Sequence, residues 1–228
     1  EIAPLSVDQI RSAGAALRDQ GVEAIAVCFL FSFVNPAHER LCADILSEVA
    51  PGVPVILSHT VDGNAREYER TVSACLEAAL CPAQQVNVDR IADELERLGF
   101  SGRLSFADSR GHLVTPKLAR TAAGRQLMGG PAASALFSAS LAEMAGSRQA
   151  LALDMGSTST DIVLLENGAP AQTHYSVVAG VPVRNPMADI QSVALGGGAR
   201  AQWAGAAGIR FSGDANTDAP TLTDALVS

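Results

Sequence analysis

Positive charge is scarce in this sequence: 16 Lys+Arg residues stand against 24 Asp+Glu, a formal net charge of −8 over 228 residues. That balance argues against an extended nucleic-acid or anionic-membrane surface, although one small phosphate pocket is compatible with it. Small molecules or protein partners are the expected company. Cysteine is also sparse. Cys28, Cys42, Cys75 and Cys81 lie inside apolar segments and form no C-x-x-C pair, so reduced, buried thiols in a cytoplasmic protein are expected rather than a disulfide framework or a metal site. The longest apolar run, Ala24 to Val34, broken only by Ser32, is too short to span a bilayer. No basic segment leading into an apolar core and a cleavage site opens the chain, so no secretory address is expected.

Several catalytic signatures are missing as well. There is no G-x-S-x-G, no H-E-x-x-H, no Walker-type lysine motif and no G-x-G-x-x-G fingerprint, and no repeat of 20 to 50 residues. His59, His112 and His174 are far apart and point to no metal cluster. His38 is expected on a helix face, and Trp203, the single tryptophan, in packing.

What is present is enough apolar material, 48% of the residues, to bury a core. Ser6-Val-Asp-Gln9 reads as a capping box opening a helix that stops at Gly21. Val22 to Phe33 reads as a strand covered on both faces, because it is nearly all apolar. A helix after Asn35-Pro36 and a second buried strand, Val53 to Leu57, follow. Helical spacing from Glu67 to Leu80 is expected to end at Pro82, with a separate helix closed by Gly99. Glu67, Glu69 and Arg70 read as an ion-paired helix surface or as contributors to a cleft. Arg103 to Ala107 is a short strand, and Gly129-Gly-Pro-Ala-Ala-Ser134 opens a helix to about Ala145. Strands separated by helices of this length make a layered α/β domain. After Gly146-Ser147 the pattern becomes antiparallel: ALALD, DIVLLE and QTHYSVVA are strand candidates, Asn167-Gly168 is a hairpin turn, and the small-residue segment to about Ala207 is expected as a helix.

The hairpin DMGSTSTD, Asp154 to Asp161, carries the candidate chemistry. Gly156 is expected to take a positive φ, while the exposed amides and the hydroxyls of Ser157, Thr158, Ser159 and Thr160 can donate to phosphate oxygens. Carboxylates repel phosphate, so Asp154 and Asp161 belong beside it only if they organise magnesium. The alternative is a polar hairpin whose Asp and Thr side chains satisfy their own backbone. Gly129 and Gly130 at a helix start, and Gly196, Gly197 and Gly198, offer amides and room for a nucleotide, or equally a tight packing loop. Asp189 is placed to orient the second glycine loop, and Asp224 to start a helix.

FLFSFVNPAHE (29–39), REYERT (66–71), LMGGPAAS (127–134), DMGSTSTD (154–161), ALGGGARA (194–201) and TLTDA (221–225) together resemble, in this order, the hydantoinase A/5-oxoprolinase family. The resemblance covers nearly the whole chain. It implies a partial actin-like ATPase fold of ribonuclease-H-like lobes with ATP between them, residues 1–147 closing the first lobe and 148–228 opening the second. It implies ATP and magnesium, with Asp154 and Asp161 as catalytic and metal-holding residues. Gly156, Ser157, Thr158, Thr160, Gly129, Gly130 and Gly196 to Gly198 would bind the nucleotide. A first phosphate hairpin would lie upstream of Glu1 and the remaining second lobe beyond Ser228. The implied activity is ATP-dependent opening of a cyclic amide such as a hydantoin or 5-oxoproline, with a second hydantoinase-type subunit or a homo-oligomer as partner. An ATP-dependent ketone carboxylase subunit and a noncatalytic actin-like assembly module are the alternatives. The family's usual Gly-Gly-Thr is Gly156-Ser157-Thr158 here, its Ser-Asn-Gly-Gly is Ser109-Arg110-Gly111-His112, and its Ser-Gly-Pro-Ala-Ala-Gly is Gly129 to Ser134.

Overall fold

The computed structural model describes residues 4–178, 180–212 and 221–227. Its contacts divide it into two compact units, residues 1–129 with 173–187, and residues 130–172 with 188–228.

The first unit is built on a βαβ element. α1 (Val7–Asp19) starts at Ser6, whose Oγ accepts the Gln9 amide at 3.4 Å, and ends before Gly21 at φ 72°. β1 (Ile25–Val27) and β2 (Val55–Leu57) pair in parallel through α2 (Ala37–Val49). Ile10, Ile25, Val27, Cys42, Ile45 and Leu46 form the core between the strands and α1 and α2. The two helices approach closely at Gly14, where an added Cβ would stand 2.7 Å from Leu46 Cδ2. The expected long strand from Val22 to Phe33 is only three residues. Beyond Val27 the chain turns, Phe31 taking φ 57°, and Leu30, Phe31 and Val34 are exposed. An unbroken apolar run does not distinguish a buried strand from an apolar loop.

α3 (Ser58–Val61) is a single turn, and α4 (Glu67–Arg97) runs 31 residues, roughly 46 Å. The sequence argued for two helices broken at Pro82, yet Pro82 lies inside one helix. Ala74, Ala78, Cys81 and Val88 are buried along it, and that continuous packing outweighs the one amide hydrogen bond a proline lacks. β3 (Phe106–Ala107) and β4 (Leu113–Val114) form a short hairpin before α5 (Pro116–Thr121), which Thr115 caps through the Leu118 amide.

In the second unit α6 (Gly129–Met144) packs Ala135 and Ala139 on Ala152, Val163 and Leu165 of an antiparallel sheet. Contacts therefore assign this helix to the second unit, ahead of the change in pattern at Gly146-Ser147. β5 (Gln149–Met155), β6 (Thr160–Glu166) and β7 (Ala169–Pro170) form a meander, with Asn167 at φ 50° and Gly168 at φ 79° in the expected tight turn. The candidate strand from Gln172 breaks into β8 (Gln172–Thr173) and β9 (Ser176–Val178); β9 and β10 (Val181–Val183) pair antiparallel within the 173–187 segment of the first unit, before β11 (Met187–Ala188). β12 (Ile190–Val193) pairs with β6, giving the order β12-β6-β5. The segment expected as a helix is instead a hairpin of β13 (Arg200–Trp203) and β14 (Ile209–Ser212), and α7 (Leu222–Val227) closes the described chain. Trp203 is 77% exposed on that hairpin rather than a packing anchor. Cys75 is exposed and Cys28 half-buried, against the expectation that all four thiols are buried. No helix among the described residues is long and apolar enough to cross a membrane.

Replacing Pro82 with Ala restores the missing donor inside α4 and is expected to stabilise the chain by about 2 kcal/mol. Urea unfolding followed by circular dichroism measures this; a midpoint that does not rise would show that the packing around Pro82 depends on the ring.

Candidate functional site

The register of β5 on β6 sets Asp154 directly opposite Asp161. Directly opposed residues in an antiparallel pair share a face with Cβ atoms about 5 Å apart, so both carboxylates lie on one side of the hairpin. Ala152, Val163 and Leu165 occupy the same face, the one covered by α6. The two acids thus stand where the apolar stripe ends. Because α6 leads through residues 145–148 directly into β5, it runs antiparallel to that strand, and its first turn, with Gly130 and Pro131, lies toward the Asp154 end. Asp161 accepts a short hydrogen bond from Ser192 Oγ on β12, while Asp154 is exposed. Like charges directly opposite one another are unfavourable, and a bound cation would offset them.

The turn between the strands is held from below. The Gly156 amide donates to Ser159 O at 2.9 Å, whereas the amides of Ser157, Thr158 and Ser159 have no protein partner among the described residues. Gly156 does not take a positive φ, contrary to expectation, and a Cβ there would meet only Ser159 O at 3.7 Å.

The triple glycine is brought onto this turn and serves packing. Gly197 N donates to Gly156 O and Gly198 N to Ser157 O, both at 2.8 Å. A Cβ on Gly196 would stand 2.5 Å from Ser157 C and Thr158 N, and one on Gly198 2.8 Å from Ser157 O. Backbone lies on backbone, which only glycine permits. Thr160 Oγ1 donates to Leu195 O at 2.5 Å, so this hydroxyl braces the glycine loop. Thr223 Oγ1 and N both donate to Gly197 O at 2.9 Å. Thr221 and Asp224 cap α7 reciprocally, through Thr221 N to Asp224 Oδ2 and Asp224 N to Thr221 Oγ1. Asp189, between β11 and β12, accepts from Gln191 Nε2 at 3.1 Å, a local bond and not one to the glycine loop. Ser192 sits in no recognisable motif, and Thr223, inside TLTDA, carries no role that spacing alone could assign.

In the first unit, Gly129 packs against β3, where a Cβ would meet Ala107 O at 2.4 Å; Gly130 has open space. Asp108 is buried and its Oδ1 accepts the amides of Arg110 and His112, so the β3–β4 loop is a self-satisfied turn with Gly111 at φ 87°. A stronger constellation was not anticipated. Glu39 is fully buried, and its two oxygens take four bonds: Phe29 N and Ser58 Oγ on Oε1, His59 N and His59 Nδ1 on Oε2. Burial pushes this carboxyl up, but the bonds from Ser58, His59 and Phe29 outweigh it and bring the pKa down to about 2. Arg70, expected on an ion-paired helix surface or in a cleft, is fully buried; its NH2 donates to Phe29 O at 2.6 Å and its guanidinium lies 5.4 Å over the Phe33 ring. NPAHE and REYERT carry both residues, and their helical placement hid that they turn inward.

The sequence profile described as Hydantoinase/oxoprolinase matches residues 70–226, and that of the Hydantoinase/oxoprolinase N-terminal region matches residues 1–50. The acetophenone carboxylase gamma subunit of Aromatoleum aromaticum is 33% identical over 207 residues, covering 88% of this chain and 28% of that protein. Caprolactamase subunit alpha of Pseudomonas jessenii is 30% identical over 198 residues, covering 87% and 28% respectively. The solved structure of the ATP-dependent caprolactamase from Pseudomonas jessenii superposes with a TM-score of 0.80 at 28% identity, over all of this chain and 35% of that one. This chain spans less than a third of the length of these two curated relatives.

Two outcomes follow from this geometry. Gly196→Ala places a methyl against the Ser157–Thr158 backbone and is expected to speed hydrogen exchange across residues 156–160; unchanged protection would refute the contact. Glu39, depressed from an ordinary 4.5 to about 2, contributes about 3 kcal/mol. The folded pKa lies below the unfolded one, so this stability is complete above about pH 4.5 and is lost as pH falls toward 2. Urea midpoints between pH 2 and 7 should show Glu39→Gln less stable at neutrality and flatter across the acid range; parallel curves would contradict it.

Proposed function

The chain belongs to the hydantoinase/oxoprolinase family, and from that premise we propose that it is the nucleotide-handling part of an ATP-dependent amidohydrolase that opens a cyclic amide such as a hydantoin or 5-oxoproline. The α/β fold is in keeping with the actin-like ATPase superfamily. Residues 1–147 are read as the closing part of a first lobe and 148–228 as the opening part of a second, ribonuclease-H-like lobe. The observation that carries the reading is the pair of opposed carboxylates beside three unpartnered amides.

This arrangement fits a magnesium-bound phosphate chain. Magnesium is held by one or two carboxylates together with phosphate oxygens and water, and no set of three or more His, Cys, Asp or Glu able to hold a metal occurs among the described residues. Asp154 and Asp161 would hold the cation, Ser192 fixing the second of them. The amides of Ser157, Thr158 and Ser159, with the hydroxyls of Ser157 and Thr158, would receive phosphate oxygens. Thr160, Gly196, Gly197, Gly198 and Thr223 would keep the turn in shape, and Gly130 would leave the start of α6 open to the nucleotide. ATP, when bound, would give its γ-phosphoryl group to the amide oxygen with release of ADP, activating the ring carbon so that one water adds there as the ring C–N bond breaks and a second water releases the phosphate. The chain's own task is to position that group and shield its charge.

A second reading is a ketone carboxylase subunit, favoured by the 33% identity to the acetophenone carboxylase subunit. Product analysis with bicarbonate and a ketone, beside the ring-opening assay, separates the two. A second subunit or a homo-oligomer is the proposed partner.

Asp154→Asn and Asp161→Asn, made singly in the full-length protein, are expected to lower ATP-dependent turnover at least about 100-fold. Part of the Asp161→Asn loss should be recovered at raised magnesium, since a weakened cation site answers to mass action. Wild-type turnover in both variants would sink the assignment.

A further inference from the structure

A cavity of about 510 Å³ in the first unit lies along the outer edge of β2. Pro54, Val55, Ile56 and Leu57 all line it, facing Cys81 of α4 and Thr121 at the end of α5. The parallel ladder fixes which backbone groups point inward. Ile25 N donates to Pro54 O at 2.8 Å, and Ile25 pairs with Val55. By the alternation of a parallel ladder the polar groups of Ile56 then face β1, while those of Val55 and Leu57 face the cavity. Leu57 O is taken by Thr60 Oγ1 at 2.7 Å; Val55 N–H and C=O have no protein partner among the described residues.

Across from the strand the wall mixes Val61, Cys81, Leu118 and Ala122 with the polar Thr60, Gln85, Thr121 and Arg125, and its acid is spent: Glu77 accepts Ala123 N at 2.6 Å and Gly124 N at 2.7 Å, one on each oxygen. A cavity of this size with a few convergent polar groups is built for a small ligand. A peptide strand does not fit, because Pro54 precedes this three-residue edge and α3 follows it at once.

An extended residue presents its N–H and C=O side by side. A ring amide, locked cis, presents its C=O and N–H side by side in the complementary order. We propose that this cavity is a binding site for a small cyclic amide with a five- to seven-membered ring, paired in both directions with the backbone of Val55, its methylenes against Ile56 and the α4 wall. The choice of ligand class rests on the amidohydrolase reading; the cavity and its free strand edge do not.

The test is amide NMR of the isotope-labelled 228-residue chain titrated with ε-caprolactam. Saturable shifts at Val55 and Leu57 are expected with Kd roughly 1 mM, about the affinity eight heavy atoms can supply. N-methylcaprolactam, which leaves the Val55 carbonyl unpaired, should bind at least about tenfold more weakly. Thr121→Trp, at an exposed position on the wall, should abolish the shifts while leaving the rest of the spectrum unchanged. Absence of saturable shifts at Val55 and Leu57, equal binding of the N-methyl ring, or full binding by a folded Thr121→Trp overturns the proposal. Magnesium-ATP binding by the full-length protein, measured by calorimetry with and without Asp154→Asn, keeps the two readings apart. Binding that Asp154→Asn weakens, with a silent cavity, overturns this site alone, and a responding cavity with no Asp154-dependent binding overturns the nucleotide reading alone.

Discussion

The pairing register of β5 and β6 is the constraint from which the second unit follows. One residue of slip would move Val163 and Leu165 away from α6 and carry Asp161 to the opposite face. The same seven-residue ladder that buries the apolar stripe therefore fixes where the acids stand. Packing sets the register, and the register sets the chemistry, so the hairpin holds two like charges together without any local force favouring it. At the other end of the ladder the Asn167 amide donates to Arg148 O at 2.7 Å, just ahead of β5, while the Asn167-Gly168 turn itself joins β6 to β7.

The glycine loop depends on this ladder in turn. Leu195 to Gly198 can lie on the turn only because three residues without side chains meet its backbone, and the hydroxyls of Thr160 and Thr223 close the contact. The amides of the turn and its loop are divided: those of Gly156, Gly197 and Gly198 hold the fold, and those of Ser157 to Ser159 have no protein partner among the described residues.

In the first unit, charge is buried in a different way. Glu39 is surrounded by four donors and Arg70 by a carbonyl and an aromatic face. Both sit where the chain leaves β1 and β2 at their carboxyl ends, beside the left-handed Phe31 and Arg66. Two strained residues around two buried charges give that end of the sheet one arrangement of its loops, which α4 then spans with a single unbroken helix.

Residue types and spacing alone determined the α/β class, the capped first helix, the Asn-Gly hairpin and the reversal between Asp154 and Asp161, because each rests on local rules of period, capping and φ. They also carried the resemblance that the family profiles later matched. Tertiary structure decided the rest. It kept α4 continuous through Pro82, shortened β1, turned Glu39 and Arg70 inward, exposed Trp203 and made a hairpin of Arg200 to Ser212. None of these is a local preference: each is settled by which surfaces, distant in sequence, are available to bury a face or take a hydrogen bond. The opposition of Asp154 and Asp161 belongs to both, since the spacing named the residues and only the ladder placed them face to face.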